Sequence, residues 1–251
     1  MLFRLIALVF LLTSSIASAE PLKSISVGFN STTGKYGGTT DTRISTIPVT
    51  GKMQFEDYFF KLTIPYISVA SAGGVVTQSL GPFKSVSRST TIIQSGLGDI
   101  TTSAGYTIYE GDQLALDLVG NIKFGTANAD KNLGTGKNDY SVQLDGDYGI
   151  DKTSLFATAG YKIVGAPEGV SVRNVVYGTL GVSQKLNNTM STGVALDTAQ
   201  SSNELSQDTR ELSVFFSNKL SKTEKVSAYI LKGFSDSSPD SGFGVSFTGT
   251  F

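Results

Sequence analysis

The sequence predicts an all-β fold: a transmembrane, antiparallel, up-and-down β-barrel of about 12 strands, both termini on the periplasmic side of a bacterial outer membrane. Three observations carry this expectation. The chain closes on an amphipathic strand in which Phe243, Val245, Phe247, Gly249 and Phe251 share one face and Gly244, Ser246, Thr248 and Thr250 the other. Its connections alternate between long and short. It also opens on a secretion signal, after which no apolar run is long enough for a helical span.

Residues 1–19 carry that signal. Arg4 supplies the basic start, Leu5 to Leu12 the apolar core, and Ala17-Ser18-Ala19 the small-residue cleavage site. The barrel domain is then residues 20–251. Its first strand is expected over 24–34, where Ile25, Val27 and Phe29 alternate with Ser26, Gly28 and Asn30. A second, over 42–53, contains Pro48, whose missing N–H predicts a bulge or a break in the ladder. A third, over 58–69, sets Phe60, Leu62 and Ile64 against Lys61 and Thr63. Residues 70–95 are rich in Ser, Thr and Gly and read as a long loop, a candidate constriction or lid whose cations are Lys84 and Arg88.

Strands follow over 98–109, 114–124, 138–150, 154–164, 174–186, 190–198, 211–220 and 225–234, before the closing strand 242–251. In the second of these Leu114, Leu116, Leu118, Ile122 and Phe124 face out and Asp117, Asn121 and Lys123 face in. In the third Tyr140, Val142, Leu144 and Tyr148 oppose Gln143, Asp145 and Asp147. The connections alternate between about 5–26 and about 3–5 residues, as transmembrane barrels have them, with both termini on the short-turn side. A Greek-key sandwich has no reason to keep that alternation. Tyr58, Phe59, Tyr109, Phe124, Tyr140, Tyr148 and Phe251 fall near strand ends and are expected to form the interfacial girdles, since tryptophan is absent. Phe247 and Phe251 resemble the carboxyl-terminal signal that outer-membrane proteins present to their assembly machinery.

Composition removes whole classes of chemistry. Without histidine or cysteine the chain cannot assemble Ser-His or Asp-His catalysis, a histidine or cysteine metal site, or a disulfide. A net charge of -1 gives no basic footprint for nucleic acid. Asp145 and Asp147 share one strand face about 6–7 Å apart. In a solvated lumen that spacing leaves both ionised and unsuited to acid–base work. The acidic loop 236–240 lacks the spaced ligands of a calcium motif. No catalytic, cofactor or metal site is expected.

Glycine-rich pieces in the middle of the chain support a resemblance. Ser95-Gly96-Leu97-Gly98-Asp99-Ile100 opens a strand; Lys123-Phe124-Gly125-Thr126, Leu133-Gly134-Thr135-Gly136 and Asp139-Tyr140 follow. Together, over residues 95–165, they resemble the outer-membrane transporters of the phenol-degradation meta-pathway (MetA) family. The chain departs from that pattern at Phe124-Gly125-Thr126, where the family tends to have Pro-Thr-Gly. The resemblance implies an outer-membrane barrel serving small-molecule uptake and hands over no catalytic residue. Physically, Gly96 and Gly98 are expected to take positive φ or to bulge, and Gly134 and Gly136 to form a turn.

About twelve strands leave room for a narrow channel or a ligand-sized cavity. The candidate lumen-lining residues are Lys61, Asp117, Asn121, Lys123, Gln143, Asp145, Asp147, Lys162, Lys185, Asp197, Glu211 and Lys219. Two roles are open for their charges: cross-strand ion pairs that brace the wall, or contact with a permeating solute. Their balanced signs argue against strong ion selectivity. Two functions fit. One is a passive channel or porin for small, aromatic or hydrophobic molecules; the other is a non-conducting surface barrel whose loops contact lipopolysaccharide or partner proteins. The expected partners are outer-membrane lipid and lipopolysaccharide, the assembly machinery and a small-molecule solute.

Overall fold

The computed structural model describes residues 20–72, 91–204 and 206–251. The expected signal segment 1–19, and Lys84 and Arg88, lie outside the described residues. The wall is built from β1 (Leu22–Gly34), β2 (Thr42–Gln54), β3 (Tyr58–Ala72), β4 (Thr91–Leu97), β5 (Ile100–Glu110), β6 (Leu114–Phe124), β7 (Asp139–Ile150), β8 (Thr153–Ile163), β9 (Val175–Lys185), β10 (Met190–Ala199), β11 (Thr209–Lys219), β12 (Glu224–Gly233) and β13 (Ser241–Thr250). Every pairing is antiparallel and, β3 with β5 apart, joins chain neighbours, and β13 closes the ring on β1, with Ser24 opposite Thr250 and Thr33 opposite Ser241. The result is a closed 12-strand barrel, because β4 and β5 are the two halves of one wall position, both paired to β3.

That broken strand corrects the expected loop at 70–95. Residues 70–72 and 91–95 are strand, and the connection between them is shorter than the sequence suggests. The halves are offset by one residue: Tyr66 opposes Leu97, whereas Thr63 opposes Thr101. The extra residue is a β-bulge at Gly98-Asp99, which turns Asp99 into the barrel. Of the two outcomes expected at Gly96 and Gly98, the chain takes the bulge, at Gly98, and neither glycine has positive φ; the left-handed glycine of the neighbouring turn is Gly136, at φ 67°. Pro48 neither bulges nor shifts β2. The β1–β2 register is the same on both sides of it, from Val27 opposite Val49 to Asn30 opposite Thr46, and only the local ladder bonds are lost.

The faces follow from the two-residue period. Exposed apolar side chains cover the outside: Ile25, Val27 and Phe29 on β1, Leu118 on β6, Val142 and Leu144 on β7, Leu180 on β9, Phe243, Val245 and Phe247 on β13. Inside, hydroxyls meet across strands, as in Ser26–Thr248 at 2.7 Å, Thr50–Thr63 at 3.0 Å and Ser191–Ser217 at 2.8 Å. Phe59, placed in a girdle from sequence, points inward instead, its ring beneath the Lys52 ammonium at 4.6 Å. The short turns (55–57, 111–113, 151–152, 186–189, 220–223) gather on one rim with both ends of the barrel domain, and the longer loops gather on the other.

Candidate lumen and its mouth

At the long-loop rim the lumen holds a small core. Asp99, delivered by the bulge, accepts a bond from Lys123 Nζ at 2.9 Å; the same ammonium lies 3.2 Å from Asp139 on β7. The other Asp99 oxygen accepts the backbone N–H of Ala127 at 2.9 Å, so this ion pair anchors the connection 125–138 inside the rim, where it packs on the β2–β3 wall. Leu133 at its tip is 7% exposed and packs with Tyr36, Ile44, Val69 and Ala127, with Ile67 against them. Gly134 must be glycine here, because a Cβ would come within 2.7 Å of the Ala127 Cβ and 3.1 Å of the Asp99 carboxylate. The Gly125, Gly134 and Gly136 pieces in the sequence are therefore the parts of an inward-folded loop. Tyr36 donates its hydroxyl to Thr32 Oγ1 at 2.6 Å, and burial pushes its phenol pKa above the ordinary value, the carboxylates of Glu211 and Asp240 adding to the rise.

Beside this inward-folded loop lies a cavity of about 470 Å³. Pro65, Ile67, Val69, Val164 and Val175 supply its apolar side, and Gln200, Ser201 and Gln207 a polar one. Lys162 and Glu211 both face it. Neither makes an ion pair with the described residues, although Asp139 and Lys123 are charges acting on Lys162.

Inward rings line the wall from the turn rim upward. Phe59 and Phe156 near the turn rim, Phe215 and Tyr229 at mid-wall and Tyr177 nearer the long-loop rim each sit directly opposite a glycine of the next strand: Gly105, Gly181, Gly193, Gly244 and Gly160 respectively. A Cβ at any of these glycines would overlap the ring. The rings therefore lie along the wall instead of crossing the bore. Phe156 and Phe215 meet at 6.1 Å. A second cavity of about 250 Å³ is lined here by Asn30, Phe215, Lys225 and Tyr229.

Charges in the lumen are balanced in sum but segregated in place. Lys52 stands directly opposite Lys61, and Lys219 opposite Lys225. Asp117 stands opposite Asp145, and Asp197 opposite Glu211. Lys52, Lys61, Lys219 and Lys225 occupy the arc from β11 through the β1–β13 seam to β3, while Asp117, Asp145 and Asp147 occupy β6 and β7 across the bore; Lys123, Lys162 and Lys185 stand outside that arc, on β6, β8 and β9. Among the described residues, cross-strand ion pairing in the lumen, one of the two roles left open, is made by Lys123 alone. The other carboxylates take hydroxyls: Thr107 to Asp117 at 2.7 Å, Thr158 to Asp145 at 2.6 Å, Ser154 to Asp147 at 2.6 Å and Thr179 to Asp197 at 2.6 Å. Gln143 Nε2 also donates to both Asp145 oxygens, and its oxygen accepts from Tyr177 at 2.8 Å and from Asn121 at 3.3 Å. Lys185 lies near the turn rim, its backbone N–H bonded to Lys152 O.

The structure thus places Lys61, Asp117, Asn121, Lys123, Gln143, Asp145, Asp147, Lys162, Lys185, Asp197, Glu211 and Lys219 on inward positions. It adds Lys52, Asp99, Asp139, Lys225 and the inward rings, which sequence reading passed over. Alternation alone would have found Lys52 and Lys225. Asp99 needed the bulge, which shifts register after Gly98.

No family model and no curated protein matches this sequence. Solved structures do. The COG4313 outer membrane channel of Pseudomonas putida F1 superposes with a TM-score of 0.75 at 12% identity, over 95% of this chain and 98% of that one. The β domain of the Bordetella autotransporter BrkA gives 0.60 at 13% identity, over 92% and 100%. The KdgM porin gives 0.57 at 11%, over 91% and 99%. At these identities the likeness is one of fold, and the fold is that of outer-membrane β-barrels.

Proposed function

We propose that the chain is an outer-membrane channel for passive uptake of small molecules that pair an aromatic or hydrophobic body with a polar or charged group. In this reading cleavage after Ala19 releases the barrel domain, the long-loop rim faces outward, and the termini and short turns face the periplasm. No catalysis is involved.

The observation that carries the proposal is the set of like-charged partners in the lumen. Lys52–Lys61, Lys219–Lys225, Asp117–Asp145 and Asp197–Glu211 are direct cross-strand neighbours. Such pairs destabilise a sheet by roughly 0.2–1 kcal/mol each. A wall selected only for strength would not keep them. A wall selected to present a lysine arc opposite a carboxylate arc would, because a transverse field orients a dipolar or charged solute as it passes. The inward rings and the apolar side of the mouth cavity favour a solute with a flat or greasy body. The likeness in fold to the Pseudomonas putida channel agrees with this function.

The test is conductance of purified, folded protein in planar bilayers, followed by swelling of proteoliposomes in aromatic acids and in sugars of similar size. Stepwise currents and faster entry of the aromatic acids are expected. A silent bilayer from folded protein would replace the channel with a structural or adhesive surface barrel.

A further inference from the structure

The outer wall carries cations in one place at the long-loop rim. Arg43 on β2 and Lys232 on β12 are exposed, and their parity puts them outside: the flanking Thr42 and Ile44 are buried inward, and Ile230 is exposed outward. Registers tie the two together. Arg43 opposes Thr33, and Thr33 opposes Ser241. Continued by one residue past Leu231 opposite Gly242, the β12–β13 register sets Lys232 beside Ser241. Lys232, Ser241, Thr33 and Arg43 therefore form one row across the seam, three strand spacings or about 14 Å from cation to cation. Only two small hydroxyl side chains lie between them. Arg210 of β11 is exposed on the same face, next to Leu212, which opposes Lys232.

None of these cations has an ion-pair partner among the described residues; the salt bridges there belong to Lys123 and Arg173. One step of two residues toward the turn rim, about 7 Å, Phe243 lies beside Ile230 on β13 and β12, while β1 and β2 carry Ser31 and Ser45, whose hydroxyls bond at 3.2 Å. Phe29, one step lower on β1, touches Phe243 at 6.0 Å, and from there the surface is apolar. The face thus reads, from rim to waist, as two separated cations, hydroxyls, then aromatic and aliphatic side chains.

We propose that this face of the seam is a docking site for a bisphosphorylated glycolipid of the outer leaflet, the lipid A part of lipopolysaccharide, with one phosphate at Arg43 and the other at Lys232. The inference rests on the outer-membrane reading above, which sets the long-loop rim in the outer leaflet. A cation on a lipid-facing wall is tolerated near the interface and gains when an anionic headgroup meets it there. The spacing is too wide for one phosphate to bridge, whereas two phosphates on a disaccharide headgroup reach both cations. Thr33 and Ser241 then face the sugars, and Phe243 and Phe29 the first acyl methylenes. Because the row spans the β1–β13 closure, a bound headgroup also clasps the seam.

The experiment titrates detergent-folded protein with bisphosphoryl lipid A, monophosphoryl lipid A, phosphatidylglycerol and inorganic phosphate, reading bound lipid by native mass spectrometry. Wild type is expected to bind bisphosphoryl lipid A about tenfold more tightly than the monophosphoryl form, one charge-assisted contact being lost. R43Q and K232Q are each expected to abolish that preference, while K222Q in a turn of the opposite rim leaves it intact. Equal affinity for the two lipid A forms, or unchanged preference in both variants, would overturn the proposal. Heat-modifiable migration on gels reports folding of each variant. Bilayer conductance, measured in parallel, is independent of this row, so a silent channel that still prefers the bisphosphoryl lipid would sink only the transport reading.

Discussion

The two ends of the lumen differ in what their charges meet. At the mouth, opposite charges meet, Lys123 with Asp99 and Asp139, and apolar side chains from the wall and the 125–138 connection close on Leu133 as in a protein interior. Toward the turn rim, lysines stand side by side, Lys52 with Lys61 and Lys219 with Lys225, and the Phe59 and Phe156 rings lie along the wall, while one acidic pair, Asp197–Glu211, stays at the mouth. On the proposed channel reading, the first arrangement holds the mouth shut and the second gives up stability to shape a field. Gating and selectivity would then rest on separate residues, so each could be altered while the other is left alone.

The sharpest break in the comparison is Leu133→Asp. Burying a leucine contributes about 2 kcal/mol, so losing it should move the closed-to-open balance by roughly 30-fold, before the penalty for a buried carboxylate is added. The expected result is a larger and longer-lived conducting state in planar bilayers, with ion selectivity unchanged. Conductance equal to wild type would mean that the inward-folded loop does not limit flow. Because the chain has no cysteine, a disulfide introduced between position 133 and a facing wall position can lock the loop, and reduction should restore the current.

Asp99→Asn should act in the same direction with less effect. It leaves Asp139 to hold Lys123, but it weakens the charge-assisted bonds to that ammonium and to Ala127 N–H. Such bonds are worth about 1.5–3 kcal/mol each when charged, and the amide retains part of that. Opening frequency should rise. A double-mutant cycle with Lys123→Met should show strong coupling, because removing both partners avoids stranding one buried charge.

At the other end, Lys52→Gln should separate function from stability. It removes one member of a like-charged pair, so the barrel should withstand heat slightly better, by about 0.2–1 kcal/mol, while permeability to anionic solutes falls. Lys225→Gln makes the same test on the Lys219 pair. A loss of stability with no change in reversal potential would return these lysines to a structural role.

Legibility in the sequence divided along a similar line. Alternation of period two revealed the strands from Leu114 to Phe251 with edges correct to a residue or two, and it assigned the charges of β6, β7 and β11 to the inside. Those signals are local. What failed was non-local or register-dependent. The strand Thr91–Leu97 is short and follows a polar stretch, so only its pairing with β3 marks it out. Phe59 looked like a girdle residue because its neighbours are aromatic, yet parity and the space over Gly105 send it inward. The glycines at 125, 134 and 136 were visible as turn formers. Their partner Asp99 was not, because a bulge can invert a side chain without leaving a mark in hydropathy.

The finest probe of the mouth is the Tyr36 phenol. Burial raises its pKa, and the Thr32 hydrogen bond opposes that rise in part. A raised pKa in the folded state means that the fold favours the protonated phenol. The stabilisation is complete below the ordinary tyrosine value near 10 and is lost as pH climbs through the higher folded value. Heat stability and the closed fraction of the channel should therefore fall together on the alkaline side, above pH about 10. Tyr36→Phe keeps the ring against Ile44 and Leu133 but forfeits one hydrogen bond, a cost of about 0.5–1.5 kcal/mol at neutral pH. That variant should lack the part of the alkaline step that belongs to the phenol. If the step in closed fraction survives unchanged in Tyr36→Phe, alkaline opening has another source, and the mouth core is not the element that holds the channel shut.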